Sequence, residues 1–457
     1  MPGLAVSIRQ CRSTSFFCLV GLLAAAPAAL AEDLFQVYRD AQRYDAVYAA
    51  ARHTLAAGRE RMPQGRALLL PSLNLTGFAQ RQRVDTESNE PPPILTPPPA
   101  PIRFPDSMGY TLTFTQPLFR WGNWLQYVQA DHQVAQAEAA FGQASQDLAV
   151  RTAVAYFDVL GAQDSLELVR AQKLATAEQL AQAKRNFEVG TATITDTHEA
   201  QARYDIINAQ ELATQNDLEN KRRALQLITG KEYGDIRPLR ADIRLPPPNP
   251  NDMAAWVDLA EKQNYAVLIQ QAATEVASLD AKRATAAHLP TLDIVVTHGE
   301  NRNLRFSAET SRSDISTTSV GVQLAMPLFQ GGTIDSRERE AAALSLRSKE
   351  DLQNARRTAA LATRTAYLAV ISGIAQVGAL EQALISSQSA LDSNRLGYEV
   401  GVRINIDVLN AQQQLFSTRR ELANARYGTI TNHLRLKAAA GALREEDLEE
   451  VNRALVR

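Results

Sequence analysis

Beyond its N-terminal segment the 457-residue chain contains no cysteine, because the only two, Cys11 and Cys18, both lie near the start. Disulfides, thiol catalysis and cysteine-ligated metal are thereby excluded from the rest. Aromatic residues make up only 6% of the chain, few for ordinary globular domains of this length. Neither sign of charge dominates: 48 Lys and Arg stand against 50 Asp and Glu, a net charge of −2. That balance gives no electrostatic case for nucleic acid or an anionic membrane surface. After the N-terminal segment no uninterrupted apolar run reaches the roughly 18 residues of a membrane helix. Entry into a membrane is therefore possible only through β-strands. The six histidines are scattered, and His198-Glu199 has no second histidine at metal-binding spacing. No Gly-x-Ser-x-Gly elbow or phosphate loop occurs. No catalytic residue, metal ligand or cofactor is expected.

The first residues read as a secretory signal peptide: Arg9 and Arg12, then an apolar stretch from Phe16 to Ala26, then the small-x-small site Ala29-Leu30-Ala31. Neither cysteine sits at that site in the way a lipoprotein signal needs. The remainder is rich in Ala, Gln, Leu, Arg and Glu, residues that favour long helices. It also contains an internal repeat. Phe187-Glu-Val-Gly190 returns as Tyr398-Glu-Val-Gly401, and Leu225-Gln-Leu-Ile-Thr-Gly230 as Leu436-Lys-Ala-Ala-Ala-Gly441, both offset by 211. Pro117-Leu-Phe119 returns as Pro327-Leu-Phe329 at 210, whereas Leu70-Pro-Ser-Leu73 returns as Leu289-Pro-Thr-Leu292 at 219. The jump places a variable loop between the last two motifs. The organisation expected is a signal peptide over 1–31, a first repeat over 32–237, a proline-rich connector over 238–251, a second repeat over 252–448 and a short tail over 449–457.

Within each copy the apolar period changes in the same order. It is two around Leu73 to Gln80 and Tyr110 to Phe119, and again at Leu292, Ile294 and Val296 and at Val320, Val322, Leu324 and Met326, which predicts strands with one apolar face. Each is about as long as a tilted strand crossing a bilayer. The period then lengthens to seven. Val370, Val377, Leu384, Leu391 and Tyr398 form one ridge, matched in the first copy by Val159, Leu166, Lys173, Leu180 and Phe187, with only Lys173 interrupting. After Gly401 a returning ridge runs Val402, Leu409, Phe416, Ala423, Ile430. Seven-residue repeats mean helices packed side by side. A helix from Gly122 to Val189 spans roughly 100 Å at 1.5 Å per residue, the length of a tubular element.

Four strands cannot close a barrel, and open edges in lipid leave backbone groups unsatisfied at several kcal/mol each. Several chains must combine, and a dimer or a trimer both satisfy closure. The strand motifs, the Val-Gly turns and Glu421-Leu-Ala-Asn-Ala-Arg-Tyr427 resemble the TolC family of outer-membrane efflux and secretion proteins. That resemblance covers nearly the whole chain after the signal segment. It implies an α+β membrane protein: a homotrimer with one twelve-stranded β-barrel in the outer-membrane lipid, four strands per chain. The barrel continues into a long antiparallel α-helical coiled-coil tunnel in the periplasm, with a mixed equatorial region. The partners implied are a periplasmic adaptor (membrane fusion protein) and an inner-membrane pump of ABC or RND type, and the cargo ranges from drugs to secreted proteins. The alternative from another class is a periplasmic coiled-coil or adaptor protein without its own pore.

The segment Gly397 to Asn410 resembles the periplasmic tip where the family closes its entrance. The match implies a latch in which Tyr398 and Arg403 bond to Asp196 and Thr195 of the other hairpin. It also implies pore-lining acidic rings: Asp407 matches the first, but Asn410 stands where the second carboxylate belongs. Fewer carboxylates predict a softened preference for cations. Val189, Gly190, Val400 and Gly401 are the adaptor-contact candidates on the same grounds. Against these stands a capping role, since Thr193-x-x-Asp196 reads as a capping box. Pro91 to Pro101 reads as a surface loop between strands, and Trp121 and Trp124 as either bilayer-interface or core residues.

Overall fold

The computed structural model describes residues 32–85, 102–103, 106–234, 236–240, 243, 245–305 and 313–456. The predicted signal segment and the stretch from Pro91 to Pro101 lie outside the described residues. The first half of the chain runs α1 (Leu34–Tyr44), α2 (Ala46–Arg59), α3 (Arg61–Ala67), β1 (Ser72–Arg81), the two-residue β2 (Val84–Asp85) and β3 (Ile102–Arg103), β4 (Asp106–Phe119), α4 (Trp121–Glu188) and α5 (Ile194–Thr229). The second half repeats the order with α6 (Met253–Gln263), α7 (Tyr265–Ala286), β5 (Thr291–Arg305), β6 (Ser313–Ala325), α8 (Thr333–Glu399), α9 (Asn405–Ala439) and α10 (Glu445–Arg453).

The four long strands form one antiparallel sheet in the order β1-β4-β5-β6. Its register puts Leu73, Phe114, Val296 and Val320 in one row and Asn74, Thr113, Thr297 and Ser319 in the next. Side chains in successive rows point to opposite faces, so one face is apolar and the other hydroxyl-rich. β5 and β6 extend well beyond the apolar alternation read from the sequence, through His298, Glu300 and their partners Thr318 and Ser316. Met326, expected in the strand, lies just outside β6.

The twin Pro-Leu-Phe motifs also differ. Pro117 to Phe119 ends β4, with a register irregularity against β5, whereas Pro327 to Phe329 follows β6. β4 has a partner on each side, and an irregular pairing accommodates a residue without an N–H. Among the described residues β6 has a partner only on its β5 side, and that pairing ends at Thr291–Ala325.

Both long helices are about 100 Å from end to end, with 68 residues in α4 and 67 in α8. α5 returns along α4 and α9 along α8, α7 lies between α4 and α8, and α2 and α3 pack on α4. The heptad ridge is buried where expected at Val159, Leu166, Leu180, Val370, Val377 and Leu391. Lys173, its interruption, is accommodated by Glu211 at 2.8 Å and Asn208 at 2.7 Å on α5. One 18-residue window of α8 has the apolar composition of a membrane helix, yet only 11% of it is buried in the single chain. Leu361, Leu368 and Ile385 of α8 are exposed. Trp121 and Trp124 are also exposed in the single chain.

The largest core lies midway along the helices, where Leu148, Tyr156, Phe157 and Leu160 of α4 meet Leu34 and Tyr38 of α1, Leu225 of α5, Leu434 of α9 and Leu448 of α10. The Tyr156 hydroxyl reaches the carbonyls of Glu32 and Arg237, 3.2 and 2.9 Å away, and ties both chain segments to the long helix. Burial raises its pKa above the ordinary tyrosine value.

Candidate functional site

The two hairpin tips, α4–α5 and α8–α9, are built alike because the repeat places equivalent residues there. Each long helix ends on a valine, Val189 or Val400, followed by a glycine with left-handed backbone, Gly190 at φ 78° and Gly401 at φ 80°. A side chain is strained at such an angle, so glycine is required for the turn. The carbonyl of Asn186 accepts from Thr191 and Ala192 N–H, and that of Gly397, its equivalent 211 residues on, accepts from Val402 and Arg403 N–H.

The tips then diverge at the start of the returning helix. Thr193 caps α5: its hydroxyl accepts from Asp196 N–H, and the Asp196 carboxylate accepts from Thr193 N–H at 2.9 Å. The repeat sets Ile404 at the corresponding cap of α9, and isoleucine has no oxygen to offer. Asp407, the counterpart of Asp196, is therefore without a capping-box partner and instead sits 3.7 Å from Arg403. The two carboxylates, interchangeable by sequence position, have different work in the fold.

The structure places Tyr398 against the other hairpin, but its hydroxyl accepts from Asn186 Nδ2 at 3.0 Å, while the Asp196 carboxylate is engaged with Thr193. Arg403, in the turn before α9, turns to Asp407 of its own hairpin. Thr195 stands beside Asp196 on the first turn of α5. The hairpins are also joined by Asn405, only 1% exposed, which accepts from Gln179 and whose Nδ2 lies 3.5 Å from the Asp196 carbonyl. Asn410 accepts from Arg203 Nη2 at 2.9 Å, and Gln413 from Arg203 Nη1 at 2.7 Å. Asn186, Arg203 and Asn405 escaped the sequence reading because the partners of Asn186 and Arg203 and one partner of Asn405 lie about 210 residues away. The available signal was the break of Thr193-x-x-Asp196 into Ile404-x-x-Asp407.

Val189 and Val400 are well exposed, as are Ile404 at 61%, which the sequence did not single out, and Val402 at 78%, which the sequence placed at the start of the returning ridge but which lies in the turn before α9. The tips thus present apolar side chains with no cover from the chain itself. No group of three or more His, Cys, Asp or Glu side chains suited to a metal occurs among the described residues.

Comparison with known proteins adds to this geometry. The family model described as outer membrane efflux protein matches residues 37–231 and 256–442. Outer membrane protein TolC of Vibrio cholerae is 33% identical over 430 residues, spanning 94% of this chain and 95% of the relative. Alkaline protease secretion protein AprF of Pseudomonas aeruginosa is 33% identical over 425 residues, spanning 93% and 87%. The crystal structure of outer membrane protein VceC of Vibrio cholerae superposes with a TM-score of 0.75 at 20% identity, covering 89% of this chain and 96% of that one. This last likeness is one of fold.

Proposed function

The chain belongs to the outer membrane efflux protein family, and from that premise we propose that three copies close one barrel whose helical tunnel has its gated entrance at the α4–α5 and α8–α9 tips. The protein is an outer-membrane channel with a periplasmic tunnel, a transport component rather than an enzyme. As the outer-membrane member of an export system it works with a periplasmic adaptor and an inner-membrane pump. It serves small-molecule efflux and type I protein secretion, and the pump selects what enters.

The open sheet carries the trimer reading. Among the described residues β1 and β6 each leave one edge without a partner, and Leu75 on the first and Val320 on the second are 69% and 74% exposed. Edges of this kind are tolerated in lipid only when another copy pairs with them. Three four-stranded sheets give a twelve-stranded barrel, and the exposed apolar side chains of α8 gain neighbours in the same step. At the tips, Val189, Gly190, Val400 and Gly401, with Val402 and Ile404, form the surface that meets the adaptor. Light scattering of the protein in mild detergent should give three chains per particle, and planar bilayers should show discrete channels. A stable conducting monomer, or trimers that never conduct, would overturn the reading.

A further inference from the structure

We propose that Arg203 is a selectivity determinant of the entrance, a fixed cation that offsets Asp407 and leaves the tip with little preference for cations over anions. The proposal rests on the reading of the hairpin tips as the entrance. Its ground is a guanidinium that has no carboxylate within ion-pair distance among the described residues. Arg203 holds Asn410 Oδ1 at 2.9 Å and Gln413 Oε1 at 2.7 Å, both acceptors being neutral side-chain amides on α9. Amide oxygens orient a guanidinium through its forked donors without cancelling its charge. Asn410 and Gln413 are exposed and Arg203 is half-buried, so the charge is held in place beside the solvent-facing surface of α9.

The neighbouring carboxylate is weakened at the same time. Asp407 lies three residues before Asn410, about 4.5 Å along the helix axis. Arg203 is bonded to Asn410 at that position, and at low ionic strength the Debye length, about 30 Å at 0.01 M, exceeds any separation this spacing allows, so Arg203 and Asp407 act on a passing ion together. Asp407 also shares its carboxylate with Arg403 at 3.7 Å. With a carboxylate at 410, Arg203 would be one half of an ion pair. With Asn410 there, each chain contributes an unpaired positive charge one helical turn from its acidic ring, and any symmetric assembly repeats it around the axis.

The test uses purified full-length pores in planar bilayers under a potassium chloride gradient at low salt, comparing wild type, R203Q and D407A. R203Q should raise the potassium-to-chloride permeability ratio about two- to fivefold, the scale of one unit charge near water, and the difference should shrink toward 1 M salt. D407A should lower the ratio. If R203Q matches wild type while D407A shifts the potential, Arg203 is an interhelical bridge and nothing more, and the proposal fails alone. If neither variant shifts it, the tips do not set selectivity and the entrance reading fails with the proposal. Because no other cysteine occurs after Cys18, R203C can be labelled after assembly with a cationic or a neutral thiol reagent. Equal ratios for the two adducts would also overturn the proposal, independently of any effect of R203Q on folding.

Discussion

Asp293, 6% exposed at the base of β5, is gripped at both carboxylate oxygens by Arg120, at 2.8 and 2.6 Å, just where β4 gives way to α4. The pair joins the two halves of the chain at the point where barrel becomes tunnel. Its members are unequal, since Arg120 keeps 39% of its side chain in contact with solvent and Asp293 only 9%. Arg120→Ala strands a buried carboxylate and should cost about 2 to 3 kcal/mol; Asp293→Ala frees an arginine that reaches water and should cost about 1. Thermal unfolding of both variants in detergent checks this order, and equal costs would show that the strands, not the pair, hold the junction. Neither residue stood out in the sequence, because a lone arginine and a lone aspartate 173 positions apart carry no periodic signal. Asp196 and Asp407 did stand out, through the repeat. Their different roles hang on a neighbour, Thr193 against Ile404, three residues earlier.

At the scale of the helices, the tips are held together by few bonds: Asn186 to Tyr398, Gln179 to Asn405 to the Asp196 backbone, and Arg203 to Asn410 and Gln413. Bonds of this type contribute about 0.5 to 1.5 kcal/mol each. The packed ridges behind them, Leu391 with Val408 and Leu415, and Leu180 and Ala183 with Leu409, are untouched by changes at the tip surface. Tyr398→Phe should therefore raise single-channel conductance without an adaptor, with oligomer content on gels unchanged. Asn186→Ala should act in the same direction by removing the donor to the Tyr398 hydroxyl. Wild-type conductance in both would mean that ridge packing alone keeps the helices closed. The ridges themselves were legible because burial at every seventh residue is a property of one helix; the tip bonds were not, because they join residues of two hairpins.

On the scale of the whole molecule, the sheet edges define the assembly. Thr76 of β1 and Thr317, Ser319 and Gly321 of β6 lie on the same face of the sheet. Barrel closure staggers neighbouring strands, so the register between copies has to be found by scanning. Thr76→Cys combined in turn with a cysteine at each β6 position should cross-link between copies at one register and give a covalent ladder that stops at three chains. A ladder ending at two chains, or no cross-link at any register along β6, would rule out closure through these edges. The length of α4 and α8, about 100 Å, has no use in an isolated chain and acquires one when symmetric copies wall a tube.

Periodicity and repetition determined the elements from the residues alone: strands with one apolar face, helices far longer than a globular protein uses, two copies in tandem, and turns at Gly190 and Gly401. These are consequences of local stereochemistry and of which side chains avoid water, and both are written along a single stretch of chain. The tertiary structure decided what each stretch meets. It set Tyr398 against Asn186, gave Arg203 to Asn410 and Gln413, ran Pro117 to Phe119 into a strand and left Pro327 to Phe329 outside one. Polar partners and strand ends depend on distances between residues remote in sequence, and only folding brings those residues together.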